Sequence, residues 1–70
     1  MSKIEDTFLN KLELKSVCVY MANGYQERGR LIEYDENVIL LYSYSKKRQV
    51  IIYKWQVATI ASEEEATLDE

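Results

Sequence analysis

The sequence contains no histidine and no proline, one cysteine (Cys18) and two glycines (Gly24 and Gly29). Without histidine, the commonest general base and the commonest metal ligand are missing. One cysteine cannot make an intrachain disulfide framework, and with no histidine beside it a structural zinc site is excluded as well. There is no nucleophile elbow and no phosphate-binding glycine loop. The carboxylate pairs are adjacent surface charges, so no catalytic chemistry and no cofactor is expected. No apolar run approaches the roughly 18 residues that cross a bilayer, and the start of the chain does not read as a signal peptide. A lone cysteine suits a reducing compartment, so the chain is expected to be cytoplasmic, away from membranes.

What is present is globular. Of 70 residues, 47% are hydrophobic and 30% charged, with six tyrosines; that length holds one core and no more. The net charge of −3 hides a division. Residues 1–61 carry all nine bases against seven acids, a balance of +2, whereas Glu63, Glu64, Glu65, Asp69 and Glu70 give the last nine residues −5. A mildly basic body with an acidic tail is compatible with a polyanionic partner, though neutral partners suit it equally.

The pattern predicts one helix and five strands. Ser2 and Glu5 have capping-box spacing, and Ile4, Phe8, Leu9 and Leu12 give the following helix one apolar face. After Lys15 the period changes to two. Val17 to Met21 reads as a first strand, Tyr25 to Tyr34 as a second and Val38 to Tyr42 as a third, the last apolar enough to be buried on both faces. Gln49 to Tyr53 and Val57 to Ile60 complete the set, with a tight turn at Lys54-Trp55-Gln56. Asn23-Gly24 signals a short hairpin, because both residues tolerate positive φ. Gly29, inside a strand, marks a bend or bulge. Residues 62–70 lack an apolar pattern and read as a disordered acidic tail, which leaves 1–61 as the domain. Short connections favour sequential antiparallel pairing into a small, partly open, mainly β barrel. A core of this size supplies only about 3–5 kcal/mol. Pairing of free sheet edges between subunits, closing into a ring, is therefore expected.

The chain resembles the Hfq family, the bacterial Sm-like RNA chaperones. The cues are Asp6-Thr7-Phe8-Leu9-Asn10, Asn23-Gly24, Gly29, Tyr34-Asp35, Val38-Ile39-Leu40-Leu41 and Tyr53-Lys54, in the family's order over roughly residues 5–60. The resemblance implies an N-terminal helix on a strongly bent five-stranded barrel and a homohexameric ring joined through strands four and five. It implies single-stranded RNA as partner, both small regulatory RNA and messenger RNA, and a role in post-transcriptional regulation. On the distal face, which takes adenine-rich RNA, it points to Tyr20, Met21, Asn23, Gly24, Tyr25, Gln26, Arg28 and Thr59. On the proximal face, which takes uridine-rich ends at the pore, it points to Asn37, Tyr53, Lys54 and Trp55. Tyrosine faces suit base stacking, and Gln or Thr suits a base edge.

The sequence also departs from the family. Trp55 stands where a histidine is usual, and indole donates a hydrogen bond but accepts none. Asn37 replaces a stacking aromatic, while Glu5 and Glu36 replace glutamines and would repel phosphate. These changes weaken the expectation of uridine binding. The helix has no arginine patch, and the third hairpin is longer, carrying Lys46, Lys47 and Arg48. That cluster is either relocated basic charge or a solvated loop tip that protects an edge. Asp35 is expected to shape a turn rather than to bind, and Cys18 to be a small buried hydrophobe. The alternative function is a divergent Sm-like protein acting mainly through protein–protein association.

Overall fold

A computed structural model describes residues 3–63. Ser2, the expected helix cap, lies outside them, as do residues 64–70 of the expected tail. The elements are α1 (Lys3–Leu12), β1 (Ser16–Met21), β2 (Gln26–Tyr34), β3 (Val38–Ser43), β4 (Arg48–Tyr53), a 3-10 turn (Lys54–Gln56) and β5 (Val57–Ser62). All five strands pair antiparallel in the order β4-β3-β2-β1-β5, so β4 and β5 are the two edges of the subunit's sheet. The expected helix followed by five antiparallel strands is observed, but the pairing is not sequential throughout: β5 crosses over to pair with β1 and not with β4. β5 runs two residues beyond Ile60, and the Glu63 N–H still donates to the Ser16 carbonyl (3.1 Å).

Period-two alternation builds the core. Val17 and Val19 of β1, Leu31 of β2, Ile39 and Leu41 of β3 and Ile52 of β4 point to one side and are buried with Leu9 and Leu12 of α1. The apolar face of the helix divides, however. Leu9 and Leu12 enter the core, whereas Ile4 is 83% exposed and Phe8 40%, because the stripe is wider than the sheet surface beneath it. Leu14, at φ 66°, turns the chain out of the helix, and its N–H donates to the Leu31 carbonyl of β2 (2.6 Å). That bond pins the end of α1 to the sheet.

Two further expectations need correction. β3 is not buried on both faces: Ile39, Leu41 and Ser43 face inward, but Val38 and Leu40 are only partly covered and Tyr42 is exposed. One small subunit has nothing to lay over that second face. Gly29 is not itself the bulge; the register between β2 and β3 slips between Leu31 and Glu33. Gly29 is needed for close approach, since a Cβ there would stand 2.0 Å from the Tyr42 carbonyl oxygen.

Candidate functional site

The distal residues gather around the β1–β2 turn. Gly24, at φ 91°, donates its N–H to the Met21 carbonyl (2.9 Å), and the Met21 N–H donates to the Tyr25 carbonyl (2.7 Å). Ala22, Asn23 and Gly24 thus form a three-residue loop in which only Gly24 takes positive φ, the geometry of a type I turn with a glycine bulge. Asn23 contributes its side chain instead, its Oδ1 accepting the Tyr25 N–H (3.0 Å). This fixes the backbone of Tyr25, a residue that is 61% exposed.

Sheet register then sets a row. Tyr20 on β1 lies opposite Gln26 on β2 and opposite Thr59 on β5. Neighbours across strands share a face, so an aromatic ring is flanked by an amide and a hydroxyl. The next row on this face is Arg28, Cys18 and Ala61. The Cys18 thiol pushes the Tyr20 phenol above its ordinary value. Met21 has the opposite parity and packs against the core, so it is not part of this row. Arg28 lies on the face but is engaged: its Nη2 is 2.5 Å from Oε1 of Glu63.

The proximal residues gather only in part. Asp35 Oδ1 accepts the N–H groups of Asn37 (2.7 Å) and Val38 (2.8 Å), which shapes the turn into β3 as expected and holds the Asp35 carboxyl below its usual range. The Asn37 carbonyl accepts the Lys54 N–H (2.9 Å), joining that turn to the 3-10 turn. Asn37, Lys54 and Trp55, with Glu5 and Glu36, line an open hollow of about 470 Å³. The Lys54 ammonium is 3.6 Å from Glu5 and 5.5 Å from the centre of the Tyr34 ring. Trp55 projects at 79% exposure, and its other side lines a groove with Met21, Ala22 and Asn23. It stands between the two regions, which the Ala22 N–H to Gln56 carbonyl bond (2.8 Å) ties together. Tyr53 does not join the hollow. It sits on the outer face of β4 opposite Val38.

Three residues that sequence reasoning did not assign stand against these sites: Glu63, Glu27 and Lys46. Glu27 shares the inward parity of Gly29 and Leu31 on β2 and is 6% exposed. A carboxylate at a core-facing position was the readable signal. Its partners are not readable, because they come from the end of β3 and the hairpin that follows it. Among the described residues there is no cluster of three or more metal-ligating side chains, and no helix is long and apolar enough to cross a membrane.

Comparison with known proteins adds sequence and structural relatives. A sequence model described as Hfq protein matches residues 4–67. The RNA-binding protein Hfq of Bacillus subtilis is 35% identical over 68 residues, covering 94% of this chain and 90% of that protein. The RNA-binding protein Hfq of Exiguobacterium sibiricum is 39% identical over 69 residues, covering 96% and 81%. A 1.55 Å crystal structure of the pleiotropic translational regulator Hfq superimposes with a TM-score of 0.78 at 33% identity, over 84% of this chain and 98% of that one.

Proposed function

The chain belongs to the Hfq family, and we propose that it is an RNA-binding protein that takes adenine-rich single strands on the face of Tyr20 and Tyr25. The observation that carries this is the row in which Tyr20 stands between Gln26 and Thr59, beside a turn whose Gly24 has only open space where a Cβ would be. A flat ring stacks on any base, and the flanking amide and hydroxyl supply donors and acceptors to a base edge. The open glycine lets a strand approach the backbone. The hollow of Asn37, Lys54 and Trp55 is a secondary site for uridine-rich ends, weakened by Glu5 and Glu36 at its border. Residues 1–61 act as the RNA-binding domain, and the acidic residues beyond it as a tail.

The subunits assemble edge to edge into a ring, a hexamer by family resemblance. The free sides of β4 and β5 support this, as does the apolar strip beside the first, where Leu40 lies opposite Ile51 and Val38 opposite Tyr53. The ring works in the cytoplasm, bringing small regulatory RNAs to messenger RNAs.

Binding of oligo-A and oligo-U at stated salt tests the reading. Tyr20→Ala should weaken oligo-A binding roughly 5- to 150-fold for each stacked base lost, and affinity should fall as salt rises. Oligo-A binding unchanged by that substitution removes the distal assignment. A monomer by light scattering removes the ring.

A further inference from the structure

Glu27 presents an unusual problem for so small a core: a carboxylate on the inward face of β2, 6% exposed. Its two oxygens have separate partners. Oε2 accepts the Ser43 hydroxyl, and Oε1 lies 3.0 Å from the Lys46 ammonium. Burial pushes the Glu27 carboxyl up, but the bonds from Ser43 and Lys46 outweigh it and hold the group below its ordinary value. Lys46 is held at both ends, because its backbone N–H also donates to Ser43 Oγ (3.2 Å). Lys47, at φ 56°, folds the hairpin back, with its N–H on the Ser43 carbonyl (2.8 Å). A lysine in a surface loop ordinarily samples many rotamers. This one is confined to an arc that ends 5.8 Å from the centre of the Tyr25 ring.

We propose that Lys46 is a positioning residue of the adenine-rich site, anchored by Glu27 so that its ammonium fixes the Tyr25 ring ready for a base. The inference rests on the reading that Tyr25 stacks on RNA. An exposed tyrosine side chain loses rotamer freedom when it stacks, and a ring already held loses less, so preorganisation raises affinity. The cation takes one face of the ring and leaves the other for a single base. The long third hairpin thus acts as a clasp reaching from the end of β3 back to the β1–β2 turn. Its basic charge is directed at a particular aromatic ring rather than spread over a loop tip.

The test is a double-mutant cycle on the assembled protein with oligo-A as probe. Lys46→Gln should weaken binding about 2- to 5-fold, the exposed cation–π range. Lys46→Arg should restore it, and Glu27→Gln, which keeps a partner for Ser43 but releases Lys46, should weaken it in the same way. In a Tyr25→Ala background Lys46→Gln should have no further effect. If Lys46→Gln costs as much without the Tyr25 ring as with it, and the salt slope drops by about 0.7, Lys46 is a phosphate contact and the inference is overturned. It is equally overturned if Tyr25→Ala weakens binding and Lys46→Gln does not. If neither Tyr20→Ala nor Tyr25→Ala changes binding, the reading beneath it fails first, and the inference with it.

Discussion

Glu63 reaches from the end of β5 to within 2.5 Å of the Arg28 guanidinium. Arg28 is the cation in the row next to Tyr20 and Gln26, so the first acid of the C-terminal stretch occupies the arginine best placed to meet phosphate. The pairing also raises the Arg28 pKa, through the hydrogen bond and charge of Glu63.

Removing that acid should therefore favour RNA. Glu63→Gln is expected to strengthen oligo-A binding roughly 2- to 5-fold at low salt, the range of an exposed ion pair. The gain should shrink as salt screens both charges. Fluorescence anisotropy at two salt concentrations checks this, and equal affinity of the two proteins at low salt would show that Arg28 does not meet the strand.

At the other site the obstacle is acidic. Glu5 and Glu36 border the hollow that holds Lys54 and Trp55, and Glu5 draws on the Lys54 ammonium. Replacing both acids by glutamine should raise oligo-U affinity several-fold while leaving oligo-A affinity unchanged. A matched gain for both oligonucleotides would mean only a general change in charge.

Gly29→Ala should be costly although alanine is small. The added carbon would meet the Tyr42 carbonyl at 2.0 Å, and the obstacle is backbone, which cannot rotate aside. Overpacking of this kind costs about 1–3 kcal/mol and sometimes more. Urea unfolding should show it as a lower midpoint with an unchanged slope.

Acid should destabilise the fold through Glu27. Its folded-state pKa lies below the ordinary 4.5, so its stabilisation is complete above that pH and is lost as pH falls through the depressed value. Asp35 shifts in the same direction, through the Asn37 and Val38 N–H groups, so wild type alone does not isolate Glu27. The difference in stability between wild type and Glu27→Gln does. It should be largest near neutrality and narrow steadily in acid, and a pH-independent difference would contradict the pairing with Ser43 and Lys46.

Much of this protein could be read along the chain. Apolar, β-branched and aromatic runs bounded by polar turns marked all five strands, but the continuous apolar run of β3 did not report which of its faces is buried. Asp35 was legible as a turn residue, since its partners Asn37 and Val38 are two and three positions away. Short connections accounted for the sequential pairing of β1 through β4, but not for the pairing of β5 with β1 that makes β4 and β5 the edges; those edges were nameable only from resemblance to a family. Tyr20, Gln26 and Thr59 were each nameable from resemblance to a family, but their standing side by side required the pairing of β1 with both β2 and β5.

Tertiary structure alone decided the rest. Nothing in the helix told Leu9 and Leu12 apart from Ile4 and Phe8; only the outline of the sheet beneath did. Glu27 with Lys46, and Arg28 with Glu63, lie 19 and 35 residues apart. Sequence patterns report what a residue prefers locally, whereas a charge pair depends on where two distant backbones are brought, and that is fixed by the bend and register of the whole sheet.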